Sequence, residues 1–225
     1  MNFLHRIAFF ALFGLLLTPS LKAQDNFEGT IVYNISAQGQ MASAMQGQMP
    51  DRMELFFRDK QMLMRINGMP GGKTVEMLVD NENGHTYSID HDNKTVTKII
   101  TEEETETPDM DFEEFDGEFE VAGYTCSKAR TTMENPMAGT MTMTYFATED
   151  IKPYVNEEVA QNTGNNLFAE GLDGFPLKMV TAFDQMDLKV VYMADQVMDK
   201  KPEEGLFMIP DDYTVEEKKA SEMGR

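Results

Sequence analysis

The segment Phe27-Glu28-Gly29-Thr30-Ile31-Val32-Tyr33-Asn34-Ile35 decides the fold class of this chain. Large apolar side chains recur at every second position, with Ile31, Tyr33 and Ile35 on one face. A period of two is typical of a β-strand that buries one face and exposes the other. The segment therefore predicts a strand of a sheet with one buried face.

Short runs of the same kind follow along the chain, and turn-forming residues separate them. The predicted strands are 53–59, 62–67, 75–79, 86–89, 95–100, 124–130, 140–146, 176–183, 188–193 and 207–209. Asn83-Gly84 is a strong hairpin signal between two of them. Residues 42–49 and 151–161 are predicted as short helices. The series predicts a mainly β fold, a single curved antiparallel sheet or half-barrel of nine to eleven strands with one or two short helices.

Residues 1–23 have the pattern of a cleavable signal peptide. A basic start is followed by eleven apolar residues, 7–17, and Ala23 is the small residue before the cut. Eleven residues are too few to span a bilayer, which takes about 20. We therefore expect a mature chain that begins at Gln24, is periplasmic or secreted, and makes no stable transmembrane insertion. Residues 24–215 are predicted as one β-rich domain and residues 216–225 as a C-terminal tail.

The charge balance is strongly acidic, with 39 Asp and Glu against 19 Lys and Arg and a net charge of −20. Such a surface repels nucleic acid and anionic lipid headgroups, so no nucleic-acid partner is expected. Eleven of the acids fall between Glu102 and Glu120 without a single base. This run predicts a solvated, mobile acidic loop at 101–120, and an ordered Ca²⁺ site is the alternative.

The sequence holds no recognisable catalytic apparatus or cofactor motif. HExxH, CxxC and G-x-S-x-G patterns are all missing, which excludes the usual zinc-protease, thiol-redox and serine-esterase templates. His85 and His91 would lie about 20 Å apart on one strand, too far to share a metal, and are predicted at opposite hairpin ends. The single cysteine, Cys126, is predicted to be a buried, inert thiol. We therefore expect a non-enzymatic protein without a cofactor.

Methionine is the unusual feature of the composition, with 20 residues. Met41, Met45 and Met49 recur every four residues, so on a helix they would form one stripe. Such a stripe could simply pack, could cover an apolar cavity, or could bind Cu(I) through its thioethers. Met141 and Met143 share one face of a strand, which favours the lining of the core. The predicted apolar ligand site comprises Met41, Met45, Met49, Met141, Met143 and Phe175, with no metal site.

Five short motifs carry a family resemblance. They are Phe27–Ile31, Gly123-Tyr124-Thr125-Cys126-Ser127-Lys128-Ala129, Tyr145–Ile151, Gly174-Phe175-Pro176-Leu177 and Phe207-Met208-Ile209-Pro210-Asp211-Asp212-Tyr213. Together they resemble the DUF4412 family of exported bacterial proteins, common in Bacteroidetes-type bacteria, and no residue role can be transferred from it. More distantly, the chain is similar to the lipoprotein-carrier fold of the LolA and LolB kind, where a curved sheet wraps a cavity for acyl chains.

The resemblance implies an exported protein that binds an apolar small molecule or acyl chain. Two alternatives remain from the residues themselves: a soft-metal, copper-binding protein that uses methionine, and a structural or interaction module of the envelope. No particular protein partner is indicated.

Overall fold

A computed structural model of the chain describes residues 26–100, 110–135, 139–156, 169 and 171–220. In these residues twelve strands form one open sheet with the order β12-β6-β5-β4-β3-β2-β1-β11-β10-β9-β8-β7. The strands are β1 (Gly29–Gln38), β2 (Arg52–Arg58), β3 (Gln61–Met69), β4 (Lys73–Asp80), β5 (His85–Asp90), β6 (Thr95–Ile100), β7 (Glu113–Val121), β8 (Tyr124–Asn135), β9 (Gly139–Thr148), β10 (Phe175–Phe183), β11 (Leu188–Met198) and β12 (Thr214–Lys219). One α-helix, α1 (Gln40–Ala44), follows β1.

The sheet consists of two antiparallel meanders joined by the pairing of β1 with β11. Strands β1 to β6 form one meander and β7 to β11 form the other, so chain neighbours are sheet neighbours within each. The exception is β12, which pairs in parallel with β6 at the edge. The prediction of a mainly β, open antiparallel sheet is confirmed.

Contacts across the sheet show how strongly it curves. The rings of Phe57 on β2 and Phe175 on β10 are 5.7 Å apart, although β1 and β11 lie between them in the sheet. In a flat sheet those strands would be about 14 Å apart. The hydroxyl of Tyr33 on β1 also donates to the carbonyl of Pro176 at 2.8 Å. The sheet therefore curves into a half-barrel, and side chains from strands that are not sheet neighbours meet on its inner face.

The inner face carries the main hydrophobic core. Ile31, Tyr33, Leu55, Tyr145 and Leu177 each expose 1% or less of their surface there. The alternation that predicted β1 thus separates inner from outer side chains.

A second, smaller core covers the outer face of β3 to β6. It comprises Leu63, Leu78, Ile89, Val96 and Phe207. Phe207 comes from the segment after β11, which ends in the short 3-10 helix Glu204–Phe207 before the chain continues to β12. This part of the sheet is therefore buried on both faces.

The predicted strand at 207–209 is wrong, because Phe207 belongs to that 3-10 helix. The last strand is instead β12. It includes residue 216, at which the C-terminal tail was predicted to begin. All six of its side chains are exposed, so its sequence shows no apolar alternation. Its backbone pairing with β6 places it in the sheet.

The acidic segment is not a loop throughout, since Glu113–Val121 forms β7. Phe115 lies against the cations of Lys128 and Arg130, each 4.4 Å from its ring, and Phe119 packs on Phe146. The one base that pairs with an acid of β7 among the described residues is Arg130 of β8, 3.7 Å from Glu113, and this pairing does not show in the local sequence. The interpretation as a mobile loop is wrong for residues 113–120, and residues 101–109 lie outside the described part.

The predicted helix at 151–161 does not form at residues 151–156, and its remainder lies outside the described part. Pro153 disfavours helical backbone at the residue before it. The amide N–H of Asn156 donates to the side-chain oxygen of Asn81 at 3.1 Å, and the Asn156 amide group donates to the Asn81 carbonyl at 3.1 Å. Ile151 is 1% exposed, so this segment closes one end of the inner face.

Candidate functional site

The candidate site lies at the opposite end of the half-barrel, where the β1–β2 connection, the β10–β11 turn and the start of β9 approach one another. The connection from β1 to β2 contains α1, and the amide N–H of Gln40 donates to the carboxylate of Asp187 in the β10–β11 turn at 3.1 Å. Gly39 has φ +103°, and a Cβ at this position would collide with the carbonyl oxygen of Asp187. At Gly139, the first residue of β9, a Cβ would collide with the Gln185 side chain in the β10–β11 turn. Glycine thus allows the turns to approach closely.

A cleft of about 360 Å³ lies between the end of β1 and the connection that follows it. The pairing of β1 with β2 stops at Asn34, and beyond it the amide of Ile35 donates to the carbonyl of Asp51 at 2.8 Å. The residues that line the cleft are Ile35, Ser36, Ala37, Ala42, Ser43, Met45, Gln46, Gly47, Met49, Pro50 and Asp51. Apolar and polar residues from β1 and from the connection thus share the lining of a space beside the main core.

The three methionines of the predicted stripe do not form one helical face. Helix α1 has only five residues, so Met45 caps its C-terminus and Met49 lies beyond it. Gly47 has φ +75°, a left-handed conformation that ends the helical geometry. Met45 and Met49 are half-buried against the main core and line the cleft, whereas Met41 is 41% exposed and does not.

The other predicted site residues are divided between the core and the cleft end. Met143 and Phe175 are each 3% exposed and belong to the interior of the main core. Met141 is half-buried in a ladder row with Met133 on β8 and Phe183 on β10. Met141 and Met143 do share one face of β9, but only Met141 lies at the end of the strand where these segments approach one another.

Sequence reasoning missed several residues of this end of the inner face. Met133, Met186 and Phe183 are also half-buried there against the main core. We call Met45, Met49, Met133, Met141, Met186 and Phe183 the methionine-rich end. The only sequence signal for it is the high methionine count, because its members come from four separate stretches of chain.

The hydroxyls of the inner face are neutral. Burial raises the pKa of Tyr145 to about 12 and also raises the pKa of Tyr192. Burial raises the pKa of Tyr33 well above its ordinary value as well. The Tyr145 hydroxyl is 3.4 Å from the sulfur of Met143. These buried tyrosines therefore provide neutral hydroxyls rather than ionised groups.

Cys126 is a free, buried thiol, as predicted. It is 1% exposed, and burial raises its pKa above the ordinary value. Because the thiolate is the reactive form, this cysteine is unreactive at neutral pH.

A polar cluster on the outer face was not predicted. Glu76 on β4 is 5% exposed, and its carboxylate accepts hydrogen bonds from Arg65 and from His91, the latter at 2.6 Å. The other ring nitrogen of His91 is 2.7 Å from the hydroxyl of Tyr213, just before β12. Burial acts to raise the pKa of Glu76, but the bonds from His91 and Arg65 outweigh it, so this pKa is lowered.

This cluster is a structural latch, because its hydrogen bonds are made within the protein and join β3, β4 and the chain before β12. The sequence signal for this cluster would have been the opposite charges of Arg65 and Glu76, which are directly paired on two adjacent strands. His85 begins β5 and His91 follows its end, so the predicted separation of the two histidines is confirmed. In the part of the chain that the structure describes, no group of three or more His, Cys, Asp or Glu could hold a metal ion.

The described residues include no helix long and apolar enough to cross a membrane. The fold defines a half-barrel β protein whose methionine-rich end includes two residues of the cleft lining, Met45 and Met49. The chain belongs to the DUF4412 family, a domain of unknown function, whose profile matches residues 27–213. This confirms the family resemblance drawn from the five motifs. None of the curated proteins matches the sequence.

Solved structures share the fold at low sequence identity. PNGF-II, in its C2 crystal form, matches with a TM-score of 0.52 and 16% identity over 86% of this chain and 31% of its own. The chain therefore spans less than a third of that protein, and the likeness shows the fold alone.

Two further structures match less well. An uncharacterised conserved protein from Thermus thermophilus has a TM-score of 0.42 and 12% identity over 85% of this chain and 91% of its own. An outer membrane lipoprotein-sorting protein domain from Vibrio parahaemolyticus has a TM-score of 0.26 and 9% identity over 83% of this chain and 92% of its own. At these TM-scores neither likeness supports a functional argument.

Proposed function

We propose that the mature protein is an exported, non-catalytic binding protein that holds an apolar ligand, or the acyl part of a lipid, at the methionine-rich end. The observation that carries this proposal is the cleft of about 360 Å³ lined by half-buried Met45 and Met49. Small-molecule sites are apolar clefts of about 300 to 1,000 Å³ with a few polar groups. The cleft is at the small end of that range, which favours a single chain over a bulky ring system.

The expected affinity follows from the apolar surface that such a ligand would bury. About ten methylenes at roughly 0.8 kcal/mol each contribute about 8 kcal/mol, which corresponds to a micromolar dissociation constant before ordering costs. Methionine side chains are flexible and polarizable, so they adapt to chains of different length. Binding of this kind is insensitive to salt, because no ion pair with the ligand is involved.

Copper binding is the second candidate, and the clustering of methionines at one end favours it. Cu(I) prefers soft thioether ligands, and the half-buried sulfurs of Met45, Met49, Met133, Met141 and Met186 belong to that end. Met41 would contribute little, since it is exposed and lies outside the cleft lining. Both candidate functions include a periplasmic or extracellular location after removal of residues 1–23.

Native mass spectrometry of the exported protein from its own cells tests the proposal. We expect a complex whose additional mass is that of an acyl-chain molecule and disappears after extraction with organic solvent. An additional mass of one copper ion would favour the second candidate. Protein without additional mass that also fails to bind a fatty-acid probe would contradict the proposal and favour a structural or interaction module.

A further inference from the structure

One part of the outer face is free of acidic residues, in a chain with 39 acids and 19 bases. It is formed by the outward side chains of β8, β9, β10, β11 and the end of β1, in three rows set by the strand register. The rows are Lys128, Phe146, Lys178, Met193 and Asn34; Arg130, Thr144, Val180, Val191 and Ser36; and Thr132, Thr142, Ala182, Lys189 and Gln38. We call these fifteen residues the basic outer face.

All fifteen side chains are half-buried or exposed, whereas the residues between them on the same strands face the core. Four of the fifteen are cations: Lys128, Arg130, Lys178 and Lys189. Acids occur only at the borders. Glu113 on β7 is 3.7 Å from Arg130, and Glu134 follows Thr132 at the end of β8.

Aromatic rings support three of the four cations. Lys128 and Arg130 each lie 4.4 Å from the ring of Phe115, and Lys178 lies 4.8 Å from the ring of Phe146. These contacts hold the charged groups at the surface. Among the described residues Lys128 and Lys178 form no ion pair, whereas Arg130 also lies 3.7 Å from Glu113. Lys128 and Lys178 are therefore held in place and can still bind an external anion.

Apolar side chains lie among the cations. Met193 is 46% exposed, and Val180 and Val191 beside it are half-buried. Basic residues mixed with exposed apolar side chains are the chemistry of peripheral membrane surfaces, where cations meet anionic headgroups and apolar groups enter the interface. We propose that the basic outer face docks the protein onto an anionic lipid surface.

The net charge of −20 does not oppose this docking at short range. Salt screens charges over about 10 Å, so a lipid surface in contact with this face interacts mainly with its own four cations. The repulsion of anionic lipids expected from composition therefore holds for the average surface and not for this face. The proposal goes beyond ligand binding and does not depend on the cleft, because the cleft lining and the basic outer face have only Ser36 in common.

Vesicle sedimentation of the full mature chain tests the proposal, with phosphatidylcholine vesicles that contain or lack phosphatidylglycerol. We expect binding only to the anionic vesicles, and weaker binding at high salt. Each cation near an anionic surface contributes enough that the loss of two weakens binding about 30-fold. The double variant K128Q/K178Q should show that loss, and K128E/K178E a larger one.

The matched control is K73E/K200E, which changes the net charge as much as K128E/K178E does but alters exposed lysines outside the basic outer face. We expect it to weaken binding less than threefold. Far-UV circular dichroism identifies any variant that has lost its fold, and the glutamine pair is the milder change. Equal losses in control and test variants would overturn the proposal, as would a wild-type chain that ignores anionic vesicles. Binding to soluble heparin without binding to vesicles would overturn it in favour of an anionic polymer.

Discussion

Replacing Met45 and Met49 together by Gln tests whether the cleft binds an apolar chain. Glutamine keeps the length of the side chain and exchanges its thioether end for an amide. Both methionines are half-buried at the cleft, so the two changes remove its two thioether side chains without touching the buried interior of the core. Met41→Gln is the matched control, because Met41 is 41% exposed and outside the lining.

The expected magnitude follows from the partial burial of these side chains. A fully buried methionine contributes about 1.5 to 3 kcal/mol, so a half-buried one in contact with a ligand contributes about 1 kcal/mol. An amide held against an acyl chain adds a penalty of about 0.5 kcal/mol or more. The two substitutions together should cost about 3 kcal/mol of binding free energy, which is about 100-fold in dissociation constant.

Titration with a fluorescent fatty-acid probe measures this effect, at low and high salt. We expect M45Q/M49Q to bind more than tenfold more weakly, M41Q to stay within twofold of wild type, and all far-UV circular dichroism spectra to agree. A parallel Cu(I) titration separates the second candidate, which predicts lost copper binding and an unchanged probe affinity. The reasoning is refuted if M41Q weakens probe binding as much as the double variant does.

Three further predictions concern the latch, the closed end and export. Glu76→Gln should lower the free energy of unfolding by about 3 kcal/mol at neutral pH, measured in urea, because it breaks a buried ion pair. The folded-state pKa of Glu76 is lowered, so its stabilisation is present above its ordinary pKa and is lost as the pH falls through the folded value. The variant and wild type should therefore converge in acid, and a constant difference would contradict this. Asn81→Ala should cost about 2 kcal/mol, since the buried Asn81 side chain accepts a part-buried hydrogen bond from Asn156, while exposed Asn34→Ala should cost less than about 0.5 kcal/mol. The intact mass of the exported chain should correspond to a start at Gln24, and a mass that includes residues 1–23 would show that no cleavage occurs.

The sequence alone determined the fold class and most of the strands. Alternation of apolar side chains along β1 and the turn signal at Asn83-Gly84 are local features, and both survive in the folded protein. The burial of Cys126 was also predictable. Its position on a predicted strand and the lack of any reactive motif both indicated a buried, inert thiol. Local patterns are sufficient to predict a strand when that strand buries one face and exposes the other.

The sequence did not show β12 or β7 as strands. Strand β12 exposes all of its side chains, so its place depends on backbone pairing with β6, a strand more than a hundred residues earlier. In β7, Phe115 lies against the cations of Lys128 and Arg130 of the neighbouring strand, and Glu113 is 3.7 Å from Arg130. Such contacts are a property of strand order, which no window of sequence contains.

Only the tertiary structure decided which methionines meet. The spacing of four residues predicted that Met41, Met45 and Met49 form one helical stripe. Helix α1 ends at Ala44 instead, Met41 is exposed, and Met45 and Met49 line the cleft. Curvature and register add methionines from β8, β9 and the β10–β11 turn. The same register gathers four cations on an acid-free outer face of an acidic chain. Periodicity along a strand determines which face a side chain is on, while strand order and curvature determine which side chains it meets there.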